Sequence, residues 1–426
     1  MKFKELNINQ TLLKQLDKQG ISTLTPIQEE CIPTILDGID VVAQAETGSG
    51  KTIAFVLPIL ERINVKNKVQ VLVLTPTREL CIQVTTVFRE LGKVIGVKTS
   101  SIYGGVAIAP QIRNIRDSDI IVATPGRLKD HLYRKTISLQ DIRFLVIDET
   151  DKMFEMGFRE DIEEIISTVS SDRQTLLFSA TMNQDIPYIA KKHLSKPVFI
   201  KTNPIVETDK LRQTYYDLHR VDEKFSLLLH LLKNSTRGLA IVFCSTRKRT
   251  DVVAENLRLQ GINVSAIHGG MTQNKRQKSL DKLRRQEIDV LVATDVAARG
   301  LDIQNVTYVY NYDVPKTAKE YIHRIGRTAR AGAKGDAVTI LTQPDHENFR
   351  RIQGDKTLNI KQKDMPVFDR VPFIMKHDES EGYINKKSRK GFKRRSPSNK
   401  ISSYRRNKSV SRGTHFISYD LTEENR

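Results

Sequence analysis

The stretch Asp40-Val41-Val42-Ala43-Gln44-Ala45-Glu46-Thr47-Gly48-Ser49-Gly50-Lys51-Thr52 decides how the rest of the chain is read. Its first half is an apolar run that reads as a buried strand. Its second half follows the P-loop pattern, except that Ala45 stands where the first glycine is usual. A helix-like apolar segment comes next. Glycines at 48 and 50 let backbone N–H groups turn inward around phosphate oxygens, and the helix start adds its positive end. Lys51 would neutralise the β and γ phosphates of a nucleotide, and the Thr52 hydroxyl would sit on Mg²⁺.

Outward from this loop the same grammar repeats. Short apolar runs at Val69–Thr75, Asp119–Ala123, Phe144–Ile147 and Thr175–Phe178 alternate with longer, helix-periodic polar segments. Strands apolar on both faces, separated by helices, predict a parallel sheet in an α/β fold. The rhythm restarts at Leu239–Cys244, Val264–Ile267, Val290–Ala293, Val306–Tyr310 and Ala337–Leu341. Thr202–Thr208 lies between the two sets and reads as a linker. Two α/β domains joined near residue 205 are expected, each with ligand sites at the carboxyl ends of its strands.

Charge points to the partner. The chain has 426 residues and a formal net charge of +19, which favours a polyanion. From Lys386 to Arg412 there are twelve Lys or Arg and no acid. Such a stretch cannot bury a core, so a disordered basic tail is expected over 366–426. No run approaches 18 apolar residues, and Met1–Leu6 has no apolar signal core. Cys31, Cys81 and Cys244 are far apart and form no metal or disulfide pattern, which fits a cytoplasmic protein.

The strand Phe144–Ile147 runs into Asp148-Glu149-Thr150-Asp151. Acids directly after a buried parallel strand lie at the edge where the P-loop opens. Asp148 would hold Mg²⁺, and Glu149 would orient and deprotonate an attacking water. Ser179-Ala180-Thr181 follows the next strand and, by itself, reads as a simple turn.

Taken in order, these and other motifs resemble the DEAD-box RNA helicases of superfamily 2. They are Phe3 with Gly20–Gln28, the P-loop, Pro76-Thr77-Arg78-Glu79-Leu80, Gly104-Gly105, Thr124-Pro125-Gly126-Arg127, Asp148–Asp151 and Ser179–Thr181. Then come Val242–Thr246, Gln273 with Arg276, Ala293–Asp302 and His323–Arg330. The set covers residues 3 to about 332. The resemblance implies two tandem RecA-like domains, with a Q-motif region at 1–29, the ATP-binding domain at 30–204 and the second domain at 205–365.

It also implies roles. Gln28 would read adenine through its amide and Phe3 would stack on the base. Ala45 to Thr52 would hold the phosphates, and Asp302 the ribose. Arg327 and Arg330 would be arginine fingers from the second domain; with His323 they fall at i, i+4, i+7, one face of a helix. Asp151, Ser179, Thr181 and His323 would couple the domains. Arg78, Gly105, Thr124, Arg127, Gln273, Arg276 and Thr294 would grip one RNA strand by its backbone, reading no sequence. A monomer is the family norm. A DNA translocase and a non-catalytic RNA clamp are the competing readings; the Q motif and the Asp148–Asp151 site argue against the first, and the intact Lys51, Glu149 and Arg327 against the second. This chain departs from the family pattern at Thr150 and Ala329, where alanine and glycine are usual, and at Ile21 and Leu24, where an aromatic residue and proline are frequent.

Overall fold

The computed structural model describes residues 2–46, 48–64, 68–202, 211–236, 238–298, 306–329 and 334–375. Seven strands form the first sheet: β1 (Val41–Gln44), β2 (Val71–Leu74), β3 (Thr99–Ile102), β4 (Ile120–Ala123), β5 (Phe144–Ile147), β6 (Gln174–Ser179) and β7 (Val198–Lys201). They lie in the order β3-β4-β2-β5-β6-β1-β7. Every pairing in this sheet is parallel. β2, β4, β5 and β6 are buried along their whole length, as apolar runs covered by helices on both faces must be.

The second sheet holds β8 (Leu211–Leu218), β9 (Leu239–Phe243), β10 (Val264–Ile267), β11 (Val290–Ala293), β12 (Val306–Asn311), β13 (Gly335–Thr342) and β14 (Ile360–Gln362). Its order, β10-β11-β9-β12-β13-β8-β14, repeats the first sheet strand for strand. The linker expected at 202–208 falls, beyond Thr202, outside the described residues.

Residues before β1 belong to the first domain. Phe3, Leu6, Ile8, Leu12, Leu13 and Leu16 are buried in its largest apolar cluster. The helix Pro26–Leu36 then begins with a capping box: Gln28 Oε1 accepts the Thr25 N–H at 2.9 Å.

The far end of the second domain corrects the tail boundary. Residues 366–375, assigned to the basic tail from sequence, pack instead against this domain. Phe368, Val371 and Phe373 sit on its core. The Val371 N–H donates to Ser226 Oγ at 2.9 Å, and Asn256 holds both the N–H and the carbonyl of Ile374. Eight of its ten residues are apolar, flanking Asp369-Arg370, and the basic run that follows hid a strap whose backbone bonds to Ser226 and Asn256. Residues 376–426 lie outside the described residues.

Candidate nucleotide and nucleic-acid site

The loop after β1 is shaped by its glycines. Gly48 and Gly50 take φ of +87° and +92°, a region an L side chain enters only at a cost. A Cβ on Gly50 would also lie 2.4 Å from Gln28 Nε2, so this glycine admits the amide that donates to its carbonyl at 3.0 Å. Ala45 is not among the left-handed residues, which is why alanine serves there. Its N–H donates to Ser179 O at 3.0 Å, tying the loop to β6. Lys51 starts the helix Lys51–Arg62, and its ammonium donates to Ala45 O at 2.5 Å and Glu46 O at 3.0 Å. Ser49 Oγ donates to Glu46 O at 2.7 Å, and Thr52 follows on the first turn. Thr47 lies outside the described residues.

Phe3 is 3 % exposed and belongs to the first domain's apolar cluster.

The acids after β5 are buried beside the P-loop. Burial pushes the Asp148 carboxyl up to about 7, against the pull of Lys51. Glu149 sits at φ +51° and caps the short helix Thr150–Glu155. Burial would raise its carboxyl too, but Lys152, Lys51 and Arg327 together hold it below the ordinary value. Asp151 Oδ2 accepts the Thr181 N–H at 2.9 Å and its hydroxyl at 2.8 Å, and Ser179 Oγ donates to Thr181 O at 2.7 Å. The turn Ser179–Thr181 is therefore fastened to the acid motif. Thr150 adds to this. Its buried hydroxyl lies 3.0 Å from Ile147 O and 3.1 Å from Phe178 O, so it links the ends of β5 and β6, where the usual alanine has no donor.

The second domain contributes the basic side, with one change to the expected geometry. The helix Ala318–Ile325 ends before Arg327, so His323 and Arg327 do not share a helical face. Arg327 and Thr328 donate back three residues, to Arg324 O and Ile325 O, and Ala329 turns left-handed at φ +55°. The position where glycine is usual thus carries an alanine in the conformation glycine favours, a strain of about 1–2 kcal/mol. Arg327 is 5 % exposed, and its charge reaches Glu149. Arg330 and Asp302 lie outside the described residues.

Sequence reading gave no role to Arg324. It is 3 % exposed and forks onto Asp295 at 2.6 and 2.7 Å, with further bonds to Asn311 Oδ1 and Asp313 O. It locks the helix carrying His323 to the segment after β11. Its partners are remote in sequence, so no local signal marks it.

The expected backbone-gripping residues collect at strand ends. The Arg78 guanidinium lies against Gly104 and Gly105; a Cβ on Gly105 would sit 2.0 Å from Arg78 Nη1. Thr124 opens the helix Pro125–Tyr133, and Arg127 donates to Val106 O at 3.1 Å. Thr294 accepts at its carbonyl from Ala297 and Ala298. Gln273 and Arg276 reach across to the first domain: Glu79 accepts from Gln273 Nε2 at 3.4 Å and pairs with Arg276 at 3.1 Å. Gln273 Oε1 and Arg276 Nε are buried with no hydrogen-bond partner among the described residues, which leaves polar capacity for a ligand.

A second cluster escaped the sequence reading. Thr246 caps the helix Arg247–Leu259 as Thr77 caps Arg78–Gly92, each accepting an N–H three residues on. Arg247 then lies against Gly269 and Gly270 after β10, as Arg78 lies against Gly104 and Gly105 after β3. The signal was present as a repeated Thr-Arg followed by Gly-Gly, visible once the two domains are set side by side.

A P-loop, a strand-end acid pair and a buried arginine from a second RecA-like domain define a two-domain nucleotide-driven motor of the helicase type. The DEAD/DEAH box helicase family matches residues 25–188, and the helicase conserved C-terminal domain matches 223–332. The ATP-dependent RNA helicase CshA of Limosilactobacillus reuteri is 45 % identical over 355 residues, 83 % of this chain and 71 % of that protein. The DEAD-box ATP-dependent RNA helicase CshA of Geobacillus kaustophilus is 44 % identical over 370 residues, 86 % and 79 % of the two chains. Among solved structures, S. cerevisiae Dbp5 bound to RNA and ADP BeF3 aligns with a TM-score of 0.76 at 31 % identity, covering 90 % of this chain and 98 % of that one. The chain belongs to the DEAD-box ATP-dependent RNA helicases.

Among the described residues no helix is long and apolar enough to cross a membrane.

Proposed function

We propose that RNA-stimulated ATP hydrolysis at this site drives local opening of short RNA duplexes or remodelling of ribonucleoprotein, through closure of the two domains. The observation that carries this reading is that Glu149 of the first domain feels both Lys51 beside it and Arg327 of the second domain. In this reading ATP lies on the loop Ala45 to Thr52, with Gln28 reading the base from its place against Gly50. Glu149 orients a water and takes its proton. Lys51 and Arg327 stabilise the charge that develops on the transferred phosphoryl group, an effect worth about 10³–10⁵ in rate for an arginine finger. By family resemblance Arg330 is a second finger and Asp302 holds the ribose.

The residues fit a magnesium ion. Asp148 is a buried carboxyl that burial makes reluctant to ionise without a cation, and Thr52 lies on the first turn of the adjoining helix. Among the described residues no group of three or more His, Cys, Asp or Glu could hold a metal alone, which suits an ion shared with phosphate oxygens and water. Bound there, Mg²⁺ would offset phosphate charge.

RNA would run along Arg78, Gly105, Thr124 and Arg127, then Gln273, Arg276 and Thr294, with Arg247 and Gly270 extending the track. Backbone contacts of this kind bind without reading sequence. Fastening of Ser179 and Thr181 to Asp151, together with the Glu79–Arg276 pair, would transmit closure between the RNA and ATP sides. The net charge of +19 supports a polyanionic partner, and the basic stretch Lys386–Arg412 would add salt-sensitive affinity. A monomer in the cytoplasm is the proposed working state; three free cysteines suit a reducing compartment.

The test is ATP turnover by the full chain without nucleic acid, with RNA and with DNA, each repeated for Glu149→Gln. Stimulation by RNA alone, lost in the variant by about 10²–10⁴-fold, is expected. Equal stimulation by DNA overturns the RNA assignment, and unchanged turnover in the variant overturns the role of Glu149.

A further inference from the structure

Lys152 follows the acid motif by one residue and has no part in the chemistry described so far. It is nearly buried, and its ammonium lies 2.7 Å from Glu149 Oε2; the two side chains are 11 % and 9 % exposed. Its own N–H donates to Asp151 Oδ1 at 3.0 Å, so the residue is fixed at both ends to the acid motif. Glu149 is held from the other side as well, by a left-handed backbone at φ +51°.

Three cations act on the Glu149 carboxylate: Lys152, Lys51 and Arg327. Two of them belong to the phosphates. When a nucleotide triphosphate enters, Lys51 and Arg327 turn their charge to its oxygens. The phosphates then add negative charge close to Glu149 and push the carboxylate away. Lys152 sits one turn along the same short helix, off the P-loop, and its charge stays with the carboxylate. An ion pair this dry is screened little, so it can oppose that repulsion. With Oε2 held, Oε1 remains to accept from the attacking water.

Resting on the proposed role of Glu149, we infer that Lys152 is a positioning residue for this ATPase. It anchors one oxygen of the general base against the phosphate charge and leaves the other for water.

The experiment measures ATP turnover with saturating RNA for the full chain carrying Lys152→Met, Lys152→Gln, Lys152→Arg or Glu149→Gln. Binding of a non-hydrolysable ATP analogue and the melting temperature are measured for each. Either neutral variant is expected to lower kcat about tenfold, with KM for ATP and analogue affinity within twofold of wild type, and Lys152→Arg is expected to recover most of the loss. The second neutral variant keeps the result readable if the other does not fold. A kcat unchanged in the neutral variants, with Glu149→Gln inactive, overturns the role of Lys152 alone. Loss of kcat together with analogue affinity also overturns it, since Lys152 would then support the whole site. An active Glu149→Gln overturns the reading of the base itself.

Discussion

The two domains share one strand order and differ in what their loops do. Comparison of the loops after β1 and β8, which hold the same place in the two sheets, shows how little separates a nucleotide site from a structural turn. After β1, Gly48 and Gly50 turn left-handed and Lys51 opens the helix with its ammonium on loop carbonyls. After β8 come His219-Arg220-Val221-Asp222-Glu223, with no glycine, and Lys224 opens the next helix. Lys224 occupies the place of Lys51 but is locked to Asp345 at 2.7 Å, 4 % exposed, above the Tyr312 ring. The acids differ in the same way. Asp148 accepts the Glu149 N–H at 2.9 Å, whereas Asp313 accepts from the N–H and hydroxyl of Ser245 and pairs with Arg249. At these two places the second domain's lysine and acid pair with charged side chains, whereas Lys51 and Asp148 bond to backbone groups.

The sharpest way to break this comparison is to remove the two lysines separately. Lys51→Ala is expected to cut RNA-stimulated kcat by about 10² or more while leaving stability nearly unchanged. Lys224→Ala is expected to cost about 1–3 kcal/mol by removing a charged hydrogen bond to the half-buried Asp345, with KM for ATP unaltered in the protein that remains folded. Urea unfolding and steady-state ATPase rates decide it; a stability loss from Lys51→Ala as large as that from Lys224→Ala would erase the contrast.

Asp148 tests the same idea through pH. Its folded value is about 7 against an ordinary 3.8, so the fold prefers the neutral carboxyl. Stability from this group is therefore present at low pH and falls as pH rises from about 4 to 7. The total is on the order of 4 kcal/mol at most. In magnesium-free buffer Asp148→Asn escapes this loss. Its melting temperature should exceed that of wild type by a margin that grows from pH 5 to pH 8. A constant margin would mean that Asp148 is not held neutral by burial.

A smaller effect sharpens the picture in the second domain. Ala329→Gly relieves the left-handed alanine and should stabilise the protein by about 1 kcal/mol, read as a higher urea midpoint. No gain would mean that the turn after Arg327 relaxes around its side chain.

Much of the fold was legible because it rests on local patterning. Apolar runs such as Phe144–Ile147 and Val290–Ala293 form strands within a residue of their expected limits. The P-loop was legible because glycine is needed at fixed positions. The burial of Phe3 was not, because it depends on neighbours distant in sequence. Nor was the end of the helix before Arg327, since i, i+4 spacing says nothing of where a helix stops.

The sequence by itself determined the parallel α/β class, the phosphate loop and the acid pair, since each follows from residue type at short range. Only the tertiary structure decided that Arg324 is an anchor, that the charge of Arg327 reaches Glu149, that Thr150 joins two strand ends, and that Lys152 pairs with Glu149. Those outcomes turn on burial and on charges brought together from separate elements, and burial sets how strongly a charge or a hydroxyl is felt.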